Sequence, residues 1–138
     1  MVTLHLLKLL ENQGFGAIDT DLFWEEITLD SDGNALDGIW IQSRGTPVTR
    51  YSVTHQAFDI YSRYKNKIMG AQKLEAILEY LQSAYSEVCS LPEVPPYSTD
   101  QYTNVRITPT SGVENAGIDE NNRVVRVISG LIQYERSS

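Results

Sequence analysis

The stretch from residue 66 to residue 91 constrains this chain more than any other. Leu74, Ile77, Leu78, Leu81, Tyr85 and Val88 recur at the i, i+3, i+4, i+7 spacing that gathers side chains on one face of an α-helix. Lys73 and Glu75 fall off that stripe. Asn66 stands where a side-chain oxygen caps a first helical turn. Leu91-Pro92 ends the helix, because proline lacks the N–H and restricts the residue before it. The spacing therefore predicts a helix over 66–89, and one apolar face of that length must be covered.

The sequence on either side of this helix supplies strands. Residues 22–29 are aromatic and branched, and 30–34 carry the short polar side chains and glycine of a turn. Ile39-Trp40-Ile41-Gln42 then reads as the return strand, and Arg44-Gly45-Thr46-Pro47 as a loop. Residues 51–61 form a long strand, with Tyr51, Val53, His55 and Ala57 on one face and Phe58 and Ile60 on the other. After the helix, 102–108 alternates up to Pro109, 113–118 is short and irregular, and Asp119-Glu120-Asn121-Asn122 is a polar turn. In the last strand, over 123–134, Val124, Ile128, Ile132 and Tyr134 oppose Val125, Val127 and Leu131. At the start, the leucines of 3–12 make a short amphipathic helix with Thr3 as its cap and Gly14 as its stop.

The expected fold is α+β: antiparallel sheet or sheets packed by two helices, 3–12 and 66–89, in the order α-β-β-β-α-β-β-β. A length of 138 residues fits one domain, 1–138, with one core. The 41% apolar and 21% charged content is that of a folded chain. A net charge of −7 argues against general nucleic-acid binding, which needs clustered Lys and Arg. Residues 1–7 lack a basic leader and no run reaches membrane-span length, so neither a signal peptide nor a membrane segment is expected. The single cysteine, Cys89, allows no intrachain disulfide, falls on the core side of the predicted helix, and suits a reducing cytoplasm.

The motifs that could carry chemistry fail on spacing. Counted from Asp30, a calcium loop would need glycine and a bidentate acid where Ala35 and Ile41 stand. Glu25 and Glu26, adjacent on a strand, point to opposite faces and cannot act as an acid–base pair. His5 and His55 lie on different elements with no metal-ligand spacing, so both read as structural. Gly14-Phe15-Gly16 opens no phosphate-binding helix, and no nucleophile motif occurs. No catalytic, cofactor or metal site is expected.

Two features fit protein contacts instead. Trp24, Trp40, Tyr51 and Tyr61 fall on the first three strands in acidic or neutral surroundings, which suits a core or an interface. Arg44 and Arg50 flank the loop before the long strand, and Asp119, Glu120 and Arg123 surround the turn before the last one. Read sharply, these are groups for ion pairs between copies in a closed ring; read plainly, they are solvated surface charge.

The order of elements, together with several local patterns, resembles the tail terminator proteins of long-tailed bacteriophages, also called tail completion or minor capsid proteins. The likeness covers nearly the whole chain. It rests on the Leu-rich first helix, Ile39-Trp40-Ile41-Gln42-Ser43-Arg44-Gly45, the long strand running into the helix near 67–85, and Thr108-Pro109-Thr110. Its most telling part is Gly117-Ile118-Asp119-Glu120-Asn121-Asn122-Arg123 before a strand ending Ile132-Gln133-Tyr134. Many such proteins have glycine where Asn122 stands, and asparagine tolerates the same left-handed backbone.

The resemblance implies a virion protein made in the host cytoplasm and placed at the head-proximal end of the tail. It implies a homohexameric ring that caps the tail tube, contacts the major tail tube protein and the head-completion connector, and lets DNA pass through its lumen without specific binding. It implies no reaction. Arg44, Arg50, Asp119, Glu120 and Arg123 are the expected subunit or partner contacts. A different ring-forming connector or tail tube protein, and a small-ligand or peptide-binding module using Trp24 and Trp40, also remain open from the residues.

Overall fold

A computed structural model describes residues 1–26, 33, 36–84, 90–119 and 122–137. The elements are α1 (Val2–Asn12), β1 (Leu22–Trp24), β2 (Gly38–Arg50), β3 (Val53–Tyr64), α2 (Lys67–Ala84), β4 (Gln101–Pro109), β5 (Glu114–Ile118) and β6 (Val124–Ser137). Their order is the one the sequence predicts, and the class is α+β. Among the described residues the strands form one sheet in the order β1-β2-β3-β6-β4, with β5 also on β6. β6 is the hub: β3 runs along one side of it, while β5 takes the first part of its other side and β4 the second.

Both helices cover the same face. The rows Ile41–Ile60–Ile128 and Gln56–Ile132–Ile107 run across paired strands, and the apolar members join Leu6, Leu10, Leu74, Ile77 and Leu81 in one buried cluster. Burying each such side chain contributes roughly 1.5–3 kcal/mol, which is what holds the helices down. Asn66 caps α2 as expected: its Oδ1 accepts from the backbone N–H of Ile68 at 3.0 Å and of Met69 at 3.1 Å. Close packing of α2 on β3 uses small residues, since a Cβ on Gly70 would lie 3.2 Å from Ser62 Oγ. Tyr85, Val88 and Cys89 lie outside the described residues.

The end of α1 also follows expectation. Gly14, at φ 87, donates to Glu11 O, and Phe15 N–H reaches back to Leu10 O at 3.1 Å, the paired bonds of a Schellman stop. Its start does not. Met1 is the cap, without a side-chain bond, and Thr3 lies inside the helix, fully buried. The helix is buried nearly all round rather than along one stripe, because the sheet holds one side and the segment 91–98 holds the other. His5 makes that second contact. One ring nitrogen is 2.8 Å from Pro92 O and the other 2.8 Å from Ser98 Oγ, with the ring edge-on to Tyr102.

Two strand expectations need correction. β1 pairs with β2 in parallel, Leu22 opposite Ile39 and Trp24 opposite Ile41, so β2 is not the return arm of a hairpin. The connection 25–37 is long enough to bring the chain back to the starting end, and parallel pairing requires about a dozen residues or more for that. The turn expected at 30–34 and the end of the strand expected over 22–29 fall mostly outside the described residues. Second, Arg44-Gly45-Thr46-Pro47 is not a loop between strands. It is a bulge inside β2: Arg44 faces Ala57, the next pair is Val48 with His55, and β2 gains two residues on its partner.

Candidate functional site

The sheet's second face carries Trp40, Tyr61 and several of the predicted charged groups, and it uses most of them within the chain. Trp40 stacks on Tyr61 at 4.7 Å and 10°, Phe23 and Leu36 pack beside them, and the Arg63 guanidinium lies 4.9 Å over the Trp40 ring. Arg63 also meets the Asp119 carboxylate at 3.5 Å. Arg123, nearly buried, pairs with Asp37 at 2.7 Å, and its backbone N–H donates to Asp119 Oδ1 at 2.8 Å. Asp119 and Arg123 thus hold the β5–β6 turn against β2 and β3. Asn122 there has φ 60, the left-handed conformation open to asparagine. Glu120 lies outside the described residues.

Trp24 stands on the opposite face from Trp40, because alternate residues of β1 point to opposite sides and Phe23, not Trp24, is level with Trp40. The two tryptophans do not share a patch. Trp24 Nε1–H donates to Thr3 Oγ1 at 2.8 Å, Thr3 meets Ser43 Oγ at 2.9 Å, and Ser43 Oγ donates to Glu25 Oε1 at 2.9 Å. Buried Thr3 is therefore the link that joins α1, β1 and β2. No helix-cap signal could have announced that role.

Arg44 and Arg50 sit at the far end of the β2–β3 hairpin, where residues 44–52 are all exposed. Arg44 lies 4.0 Å from Asp59, whose carboxylate already accepts from Ser129 Oγ at 2.6 Å. Arg50 has no ion pair among the described residues. The hairpin closes on a two-residue turn, Tyr51-Ser52, between the paired residues Arg50 and Val53. Both turn residues have positive φ, 54° and 67°. Such turns favour Asn-Gly, and other residues cost roughly 1–2 kcal/mol in that conformation. The turn nevertheless presents Tyr51 at 91% exposure, with Val48 at 62% close by.

A groove of about 500 Å³ opens on the helix-covered face, between α1, the end of β1 and the segment 91–98. Buried Leu4 and Val94 floor it, with half-buried Ile18. Trp24 at 36% exposure and Tyr97 at 70% wall it, and the exposed carboxylates of Asp19 and Glu26 rim it. The Met1 amine also borders it. Burial, the main cause, holds that amine below the usual α-amino range. Tyr97, Asp19 and Glu26 carry no sequence signal for this, because the three segments meet only through tertiary packing.

Among the described residues no three or more His, Cys, Asp or Glu side chains gather as a metal site would need. No described helix is long and apolar enough to cross a membrane. No protein-family model matches the chain, and no curated protein matches it.

Proposed function

We propose that this chain is a structural assembly protein and that it acts as the tail terminator of a long-tailed bacteriophage. Copies would form a ring that caps the tail tube, ends its growth and offers the surface to which the filled head joins. The observation that carries this reading is the hairpin end. An exposed tyrosine is kept on a turn that an Asn-Gly pair would form without strain, and local strain of this kind accompanies contact sites. Open strand edges add to it. Among the described residues no strand pairs with the outer side of β2 beyond Ile41, and β5 is exposed throughout. The acidic balance of the chain suits a lumen through which DNA passes without sticking.

The test is a tail-assembly reaction with and without the purified protein, imaged by negative stain. Without it, tubes should overgrow and fail to join filled heads, and adding it should restore both length and joining. Tails of normal length that join heads in its absence would end the reading. Density for a ring at mid-tube or inside the head portal would instead favour a tube or connector protein.

A further inference from the structure

We infer that the β2–β3 hairpin end of one copy docks into the groove between α1, β1 and segment 91–98 of a second copy. The inference rests on the assembly reading and names the two surfaces through which copies would meet. The two surfaces complement each other in shape class and in charge.

The hairpin end is a narrow, exposed finger with an aromatic at its tip, Tyr51, and an apolar side chain, Val48, behind it. The groove is concave, apolar at its floor and aromatic at its walls, and its volume is in the range of sites that enclose a ligand. In charge the finger is basic. No Asp or Glu occurs between Asp37 and Asp59, so Arg44 and Arg50 dominate it, and Arg50 has no ion pair of its own among the described residues. The groove rim is acidic through Asp19 and Glu26. A tyrosine between Trp24 and Tyr97, with an arginine against the rim carboxylates, is the anchor-and-rim arrangement of protein interfaces.

Self-docking within one chain is blocked, because β3 is paired to β6 up to Thr54 and the finger cannot fold back onto the groove. Finger and groove are different patches, so the contact is head-to-tail. Repeated, it closes a ring if the rotation permits.

The experiment mixes two full-length variants in a Cys89→Ser background, one carrying Ser52→Cys beside Tyr51 and the other Thr99→Cys two residues from Tyr97, so that both aromatics stay, and treats them with a short bismaleimide cross-linker. Cross-links between 52 and 99 should outnumber the 52–52 and 99–99 products. In parallel, Arg50→Glu should weaken self-association about thirtyfold by light scattering, and mixing it with the Asp19→Lys/Glu26→Lys variant should restore the contact. Apart from Cys89, which lies outside the described residues, these positions are exposed, and thermal melts check that the variants fold. If the wild-type chain associates but no 52–99 product forms and Arg50→Glu associates as before, the inference fails while the assembly reading stands. If the wild-type chain never associates, alone or on tubes, and tails are normal without it, both fail.

Discussion

The side-chain amide of Gln56 lies 3.2 Å from the carbonyl oxygen of Gly45 and 3.4 Å from that of Arg44, spanning the bulge of β2 from the neighbouring strand. Gln56 is buried, sits where β3 would otherwise place an apolar residue, and also reaches the Ala57 carbonyl at 2.8 Å. The amide thus supplies a donor to carbonyls that the bulge takes out of the regular ladder. Gln56→Leu should remove these bonds and cost about 1–3 kcal/mol in denaturant unfolding. Hydrogen exchange should rise over 44–52 and stay unchanged in α2. Uniform exchange in the variant would show that the bulge holds itself.

The Tyr51-Ser52 turn separates stability from assembly. Replacing the pair by Asn-Gly relieves two strained residues and should raise stability by about 1–2 kcal/mol. The same change removes the exposed aromatic and should abolish association between copies. A variant that is more stable and still assembles would deny Tyr51 its contact role.

His5 should tolerate little change. Both ring nitrogens are satisfied inside the protein, so Ser98→Ala leaves one buried nitrogen without its partner and should cost about 1–3 kcal/mol. His5→Ala should cost more, since a cavity opens against Tyr102 as well. Equilibrium unfolding of both variants checks the order; equal losses would mean that packing alone matters.

Gly130 is required by Phe58. The two face each other across β3 and β6, and a Cβ on Gly130 would lie 2.5 Å from the Phe58 ring and 3.0 Å from Thr108 O. Gly130→Ala should destabilise the protein by about 1–3 kcal/mol, and adding Phe58→Leu should recover part of it. Additive losses in the double variant would place the clash at the backbone oxygen instead.

Alkaline pH should weaken the fold through two phenols. Tyr64 and Tyr102 are both pushed up to about 12, chiefly by burial, with Asp21 and Asp37 adding to the first and Asp100 to the second. The folded state holds each phenolic proton more tightly than the unfolded chain does, whose tyrosines titrate near 10. This contribution is whole below about pH 10 and is lost as pH rises toward 12. Denaturant midpoints should fall across that window together with the rise of phenolate absorbance. A flat midpoint would show that neither phenol is held more tightly in the fold.

Patterns carried by neighbouring residues were legible in the sequence. Apolar spacing marked α2, Asn66 its cap and Gly14 the end of α1, while alternation sorted the two faces of β3 and β6. The candidate surface was legible only in part. Arg44 and Arg50 stood out as charges near a loop and Trp24 as an aromatic suited to contacts, but the groove itself did not, because Leu4, Trp24 and Tyr97 are far apart in the chain and share no period.

By itself the sequence determined the order of helices and strands and which side of α2, β3 and β6 is apolar, because those properties repeat every 3.6 or 2 residues and need no distant partner. Tertiary structure alone decided that β1 runs parallel to β2, that Gly45 to Pro47 stays within a strand, and that Thr3 is a buried link rather than a cap. It also decided that Asp119 and Arg123 find Arg63 and Asp37 within the chain. Each of these depends on strand register and on which segments meet across the core, and pairing distant residues is a long-range choice that no local period encodes.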